Sequence, residues 1–326
     1  MRPALSVILL TTLIGAGQGL FLALFTVQSY ALVGLLPPVI GRGFYVQGGL
    51  LALVLLAAGL VASFFHLGRP ERAWRSAAQW RTSWLSREVI VLPAFMASVA
   101  LYTLVHGLGF TQPVMTLPQG LPIDLSVMIG AAGTVLAFAL FVCTGMIYAC
   151  LRFLAEWHTP LTPLNYTLLG GASGFMLAAA LAALLAPALV GFLSGWAIIL
   201  TLLAAAGRVA ALWRNARLKP HSTMQSAIGV KHPAVVQKSQ GFVGSSFNTR
   251  EFFHGATAGR LHLAKPAFLL LAFAAPVLLA LAGRGAPSTA LLLAACAVQF
   301  GGLLIERWFF FAQARHPQNL YYQAVS

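Results

Sequence analysis

The sequence predicts an all-α fold, a polytopic membrane helix bundle with eight transmembrane helices and both termini cytoplasmic, and three observations carry that expectation. Of 326 residues 59% are hydrophobic and only 8% charged, where a soluble domain would carry about 25% charged residues. Eight apolar runs reach the roughly 20 residues needed to cross a bilayer. Of the 20 Lys and Arg residues, all but Arg42 and Arg284 fall on one side of the topology that eight spans impose.

The runs are roughly 5–33, 46–66, 88–109, 123–151, 164–186, 189–213, 264–283 and 288–312, each long enough to span as a helix. Breakers separate them: Pro37-Pro38 and Gly41, Gly68 and Pro70, the 113–122 stretch between two prolines, Pro160 and Pro163, Pro187, and Gly283 to Pro287. The first run starts three residues from Met1. It is too long for a signal-peptide core and shows no convincing cleavage signal, so it reads as the first span. Small residues at 15–19, 130–133 and 170–174 read as helix-packing faces. The Gly-Ala-Gly-Gln-Gly run at 15–19 lies inside a span and follows no strand, so it is not read as a nucleotide loop. Residues 1–326 form a single integral membrane domain, with 214–263 as a cytoplasmic loop between the sixth and seventh spans.

With eight spans, both termini and the loops 67–87, 152–163 and 214–263 share one face. The positive-inside rule makes that face cytoplasmic, and removing Lys231, Lys238 and Arg250 of the long loop leaves the bias intact. The same asymmetry accounts for the net charge of +14 as topology, so no nucleic-acid partner is expected. Cys143, Cys150 and Cys296 lie inside apolar runs without CxxC spacing. Three isolated thiols cannot hold an iron–sulfur cluster, which needs four ligands, so any electrons handled here come from a partner. The aromatic, basic loop around Phe242, Phe247, Phe252 and Phe253 suggests a cap or docking surface. The tail from Glu306 to Tyr322 reads as an interfacial aromatic belt with snorkelling arginines.

Candidate chemistry concentrates in the hairpin 61–91. An apolar run ends at His66, a loop carrying Arg69, Arg72, Arg75, Arg81 and Arg87 follows, and a second run begins at Glu88. His66 and Glu88 therefore emerge at the same membrane face, where ionisable groups mark functional sites. Imidazole titrates near neutrality, and a carboxylate at the inner edge of a span can relay a proton between a lipid-soluble quinone and water. The acidity of Glu88 is left open between desolvation and the pull of Arg69 or Arg87. The bland alternative is an ion pair of Glu88 with an arginine at a helix start and a capping role for His66. Arg72, Arg75 and Arg81 attract either anionic lipid or an acidic partner. Haem would need two histidines at matching depth; His106 lies at the far end of its span, and His262 is the one possible mate for His66. Asp124 and Glu306 read as helix-end charges. A stand-alone transporter is a remote alternative, against which the lack of an evident internal repeat counts weakly.

The 65–74 segment, Phe-His-Leu-Gly-Arg-Pro-Glu-Arg-Ala-Trp, and the 80–88 segment, Trp-Arg-Thr-Ser-Trp-Leu-Ser-Arg-Glu, within an eight-span chain, resemble the membrane-anchor subunits of the dimethyl sulfoxide reductase family. That resemblance implies a complex in the bacterial inner membrane. Its partners would be a molybdopterin catalytic subunit and a four-cluster ferredoxin-like iron–sulfur subunit. The anchor would exchange electrons with ubiquinone or menaquinone and hold no haem or iron–sulfur cluster itself. His66 and Glu88 match the quinone-site residues of the family motif, with Arg69 and Arg87 beside them and Arg72, Arg75 and Arg81 as docking candidates. The long 214–263 loop, the Ala-Arg-His-Pro-Gln-Asn-Leu-Tyr-Tyr tail at 314–322 and the charge bias that turns the docking face to the cytoplasm depart from the reductase form. They are similar to the branch that passes electrons from sulfite to quinone. A dimethyl sulfoxide or related oxo-substrate reductase oxidising menaquinol is the alternative.

Overall fold

Every apolar run is a helix in the computed structural model, which describes residues 1–37, 41–116, 120–220, 222–236, 238, 252–285 and 288–321. The spans are α1 Leu5–Leu32, α2 Arg42–Phe64, α3 Trp84–Leu108, α4 Leu125–Ala149, α5 Leu161–Leu185, α6 Val190–Ala216, α7 Ala258–Arg284 and α8 Thr289–Ala312. Several helices begin earlier than their apolar runs. Polar caps start them in the interfacial zone: Ser83 accepts from Ser86 N at 3.4 Å, and Thr257 accepts from Arg260 N at 3.4 Å. Hydrophobicity marks only the part of a helix inside hydrocarbon, so the sequence expectation loses the first turn.

The loops between spans are partly ordered. Residues Pro70–Gln79 form a 3-10 helix within the arginine loop. The proline-bounded stretch between α3 and α4 contributes a two-stranded antiparallel hairpin, Pro113–Thr116 with Pro122–Asp124, a small departure from an all-helical chain. A short helical turn occupies Met224–Ile228. Phe242, Phe247, Arg250 and Tyr322, together with the rest of the 239–251 stretch, lie outside the described residues.

Packing divides the spans into α1–α4 and α5–α8, each an up-and-down group, joined where α1 and α4 lie against α5. Helices α1 and α5 hold the centre: 72% of the apolar window of α1 and 67% of that of α5 is buried, against 33% for α4, α7 and α8. The contact is a small-residue seam, as the glycine runs suggested. A Cβ on Gly174 would overlap the Gly19 backbone, and one on Gly19 would overlap the Gly170 carbonyl. Without a strong hydrophobic driving force inside lipid, close backbone approach of this kind is what holds membrane helices together.

Pro266 interrupts α7, and four residues later Leu270–Ala274 widens into a π turn. The carbonyl of Ala272 there accepts from Gln299 Nε2 of α8 at 3.4 Å, and Gln299 also donates to Thr201 of α6 at 3.0 Å. The freed backbone group is thus met from a neighbouring helix. Both ends of the described chain reach one face, where the Met1 nitrogen donates to Ala314 O at 2.6 Å. Trp157, Phe310, Phe311 and Tyr166 pack with Ile8 and Leu154 just inside that face.

Candidate functional site

Glu88 stands one turn inside α3, four residues from its start and therefore about 6 Å along the axis. The helix turns it toward the interior, where Thr144 Oγ1 of α4 donates to its Oε1 at 2.5 Å. A hydroxyl donating to a carboxylate is a charge-assisted bond, stronger than a neutral one. Around this pair a void of about 10 Å³ is lined by Thr11, Gln18 and Gly15 of α1, Phe141 of α4 and Tyr166 of α5. That volume holds about one water molecule. Gln18 is fixed by donating to Ala137 O at 2.9 Å, while the absence of a side chain at Gly15 leaves room beside it. The site is thus a small polar pocket at the α1–α3–α4–α5 junction, set in the half of the bundle nearest the termini.

The arginines expected to compete for Glu88 do other things. Arg87 donates through Nε to Trp80 O at 3.0 Å and through Nη2 to Arg81 O at 2.8 Å, and its guanidinium stacks over Trp84 at 4.2 Å. It therefore closes the arginine loop on itself. Among the described residues no arginine forms an ion pair with Glu88; the pair of Arg72 is Glu71 at 3.9 Å, both exposed, a contact of little energetic weight. Arg69, Arg72, Arg75 and Arg81 are all exposed. Arg75 and Arg81 lie over the exposed rings of Trp74 and Trp80 at 5.5 and 5.3 Å. The loop therefore presents an alternating cationic and aromatic face.

His66 follows the end of α2, its backbone nitrogen bonded to Ser63 O at 3.4 Å, and its side chain is exposed. Among the described residues its ring makes no hydrogen bond and no ion pair, with Glu88 or with any other group. What burial it has pushes its pKa below 6.5, toward the neutral form. The structure therefore joins Glu88 to Thr144 and Tyr166, while His66 stands at the loop.

Sequence reading passed over a second polar centre. Arg208 of α6 and Glu306 of α8 are 2% and 1% exposed and meet at 2.6 Å, and Arg307 approaches the other Glu306 oxygen at 3.4 Å. The helix-end role expected for Glu306 is thereby corrected: it is an intramembrane ion pair. The belt expected at the tail is corrected too, since Phe309, Phe310, Phe311 and Arg307 are buried. A usable signal was present, because single opposite charges inside two apolar runs call for each other. Asp124 does behave as a helix-end charge, accepting from Val127 N at 2.9 Å. His106, at the opposite end of the bundle, stacks on Tyr45 at 4.4 Å. Among the described residues no cluster of three or more His, Cys, Asp or Glu could hold a metal ion.

Comparison with known proteins places this geometry in context. The model of a family described as DMSO reductase anchor subunit (DmsC) matches residues 1–322. A sulfite dehydrogenase subunit from Allochromatium vinosum is 59% identical over 326 residues, covering 100% of both chains.

Proposed function

The chain belongs to the DMSO reductase anchor subunit (DmsC) family, and on that premise we propose that it is the quinone-reactive membrane anchor of a molybdopterin oxidoreductase complex engaged in sulfite oxidation. The observation that carries this reading is Glu88, a carboxylate aimed into the bundle at a polar pocket and held by Thr144. Oxidation of sulfite releases two electrons in the catalytic subunit. An iron–sulfur subunit carries them to the membrane, where a quinone takes up two electrons and two protons to become the quinol.

Glu88 has the chemistry for the proton side of that step, and Thr144 and Gln18 supply hydrogen-bonding groups beside it. The void is water-sized, so the ring oxygen meets Glu88 from the edge of the pocket or through one water rather than by full enclosure of the ring. Exposed His66, kept neutral near pH 7, can accept a hydrogen bond at the loop side, with Arg69 and Arg87 holding the local potential positive. Arg72, Arg75 and Arg81, interleaved with Trp74 and Trp80, form the face offered to a four-cluster ferredoxin-like subunit, a combination of residue types favoured at interfaces. The charge asymmetry supports a cytoplasmic docking face in a bacterial inner membrane. Sulfite is favoured by the relative, whose name carries that substrate. The family description favours the alternative, an anchor for dimethyl sulfoxide or a related oxo-substrate, with electrons flowing from menaquinol.

Glu88→Gln in the purified whole complex tests the site. Removing a positioned proton-transfer group is expected to lower sulfite-driven reduction of decylubiquinone about 100-fold, while sulfite-driven reduction of ferricyanide, which draws electrons from the partner subunits, persists. Full quinone reduction by this variant would exclude Glu88 from the site.

A further inference from the structure

A second void of about 10 Å³ lies beside the first, lined by Glu156, Asn165, Tyr166, Arg208, Glu306 and Arg307 among others. Tyr166 belongs to both linings and so forms the wall between them. Its ring is clamped, with the Arg307 guanidinium 3.8 Å from the ring centre and Tyr148 stacked at 5.6 Å. Its hydroxyl is buried and faces the Tyr148 hydroxyl without forming a well-aligned hydrogen bond, and Asn165 Oδ1 and Arg208 Nη2 are buried without a hydrogen-bond partner among the described protein groups. A buried polar atom without a partner costs about 1–3 kcal/mol, and its persistence calls for an explanation. Ring packing alone does not require this hydroxyl, since Phe310 and Phe311 fill the same cluster without one.

We propose that Glu156 and Tyr166, with the buried Arg208–Glu306–Arg307 cluster lining the void between them, form the proton route between Glu88 and the membrane face that carries both termini. The proposal rests on reading the Glu88 pocket as the quinone site. Depths agree along the route: Glu88 is four residues inside α3, Tyr166 five residues inside α5, and Glu306 six residues from the end of α8. Glu156, in the loop between α4 and α5, is partly exposed and opens the second void toward water. Each void has the volume of about one water, so the chain of groups is Glu156, water, Tyr166, water, Glu88.

For every quinone reduced, two electrons arrive from the partner subunits and two protons are consumed at the ring oxygens. Each proton enters at Glu156, and the Tyr166 hydroxyl accepts on one side as it donates on the other, returning to its starting state. Glu88 passes the proton on and is reprotonated from the void. The charged and titratable groups facing Tyr166 are Glu88 of α3, Tyr148 of α4, Glu156 of the loop, Arg208 of α6, and Glu306 and Arg307 of α8. Glu306 pairs with both Arg208 and Arg307, which lowers the electrostatic barrier that two bare arginines would raise against a proton.

Tyr166→Phe keeps the ring, its stack and its clamp, and removes only the hydroxyl. In the purified complex, with electrons supplied by reduced benzyl viologen so that the identity of the substrate does not matter, the reduction of decylubiquinone is followed in H₂O and D₂O and normalised to intact complex. The variant is expected to lose about tenfold in rate and to show a larger solvent isotope effect, because proton delivery becomes limiting; Glu306→Gln is expected to do the same and Glu306→Asp to recover most of the rate. A full rate and unchanged isotope effect in Tyr166→Phe, beside an inactive Glu88→Gln, would overturn the route and leave the quinone site standing. A full rate in Glu88→Gln would overturn both. A loss in Tyr166→Phe matched by loss of intact complex would assign the hydroxyl a structural role and overturn the route as well.

Discussion

The two ends of the bundle handle most of their buried polarity in opposite ways, with His106 Nε2, buried and without a hydrogen-bond partner among the described residues, as the exception away from the termini. Away from the termini, Tyr102 donates to Gln28 Oε1 at 2.8 Å, Gln28 donates to Ser126 at 2.5 Å, and Ser126 donates to Asp124 at 2.6 Å. Each step in that chain from α3 through α1 to α4 has a protein partner, and it ends on a carboxylate that also caps α4. Toward the termini, the Tyr166 hydroxyl, Asn165 Oδ1 and Arg208 Nη2 lack such partners, and charged groups border two water-sized voids. Completed hydrogen bonds fix helices in register. Incomplete ones beside a void offer exchangeable positions for water and protons. The difference teaches where to look for work in the bundle.

Breaking the terminal end should cost most. Glu306→Ala leaves Arg208 buried at 2% exposure without its partner, and loss of one member of a buried pair costs about 3–5 kcal/mol. Unfolding of the purified chain by denaturing detergent should shift accordingly, and the triple change Arg208→Met, Glu306→Leu and Arg307→Met, which removes the whole buried cluster, should recover much of the loss. An undisturbed transition in Glu306→Ala would mean that the pair is hydrated rather than sealed. Next comes the seam shared by both ends. Gly174→Ala places a methyl against the Gly19 backbone, where nothing flexible can yield, so overpacking of at least about 1–3 kcal/mol is expected by the same measurement.

How much of this could be read from the chain follows the same division. Span number and packing glycines were legible because hydrocarbon leaves few options: about 20 apolar residues must be helical, and Gly170 and Gly174 mark close approach. Glu88 was legible as a charge at the edge of an apolar run. Its partner was not, since Thr144 is one of several hydroxyl residues in spans and only the azimuth of α4 selects it. The Arg208–Glu306 pair was legible only as two opposite charges inside apolar runs, and its signal was weakened by position, each residue lying within two or three turns of a helix end where a charge is tolerated without a partner. Whether such a group points to lipid headgroups or inward depends on helix rotation, which hydropathy does not encode. The π turn after Pro266 likewise depends on Gln299 arriving from α8.

Two tyrosines sharpen the contrast at smaller scale. Tyr102→Phe removes a donor from Gln28 Oε1, and a hydrogen bond between membrane helices is worth about 0.6 kcal/mol, so unfolding should shift by that amount with quinone reduction unchanged. Tyr166→Phe removes a hydroxyl that faces Tyr148 without a well-aligned hydrogen bond, so its unfolding should shift less than that of Tyr102→Phe. If the two variants lose equal stability, both ends are structural scaffolding and the distinction disappears.

The smallest expected effect concerns His66. Burial lowers its pKa below 6.5 in the folded chain, so between that lowered value and 6.5 the folded state binds fewer protons than the unfolded one. Stability contributed by the neutral ring is therefore fully present above pH 6.5 and declines as pH falls through that window. Exposure of the ring keeps the effect small. Thermal unfolding of the purified chain between pH 7.5 and 5.5 should fall slightly more steeply than that of His66→Gln, which has no imidazole to protonate. A wild-type chain that gains stability on acidification relative to the variant would place a carboxylate against His66, and would bring that ring into the polar centre from which the present geometry separates it.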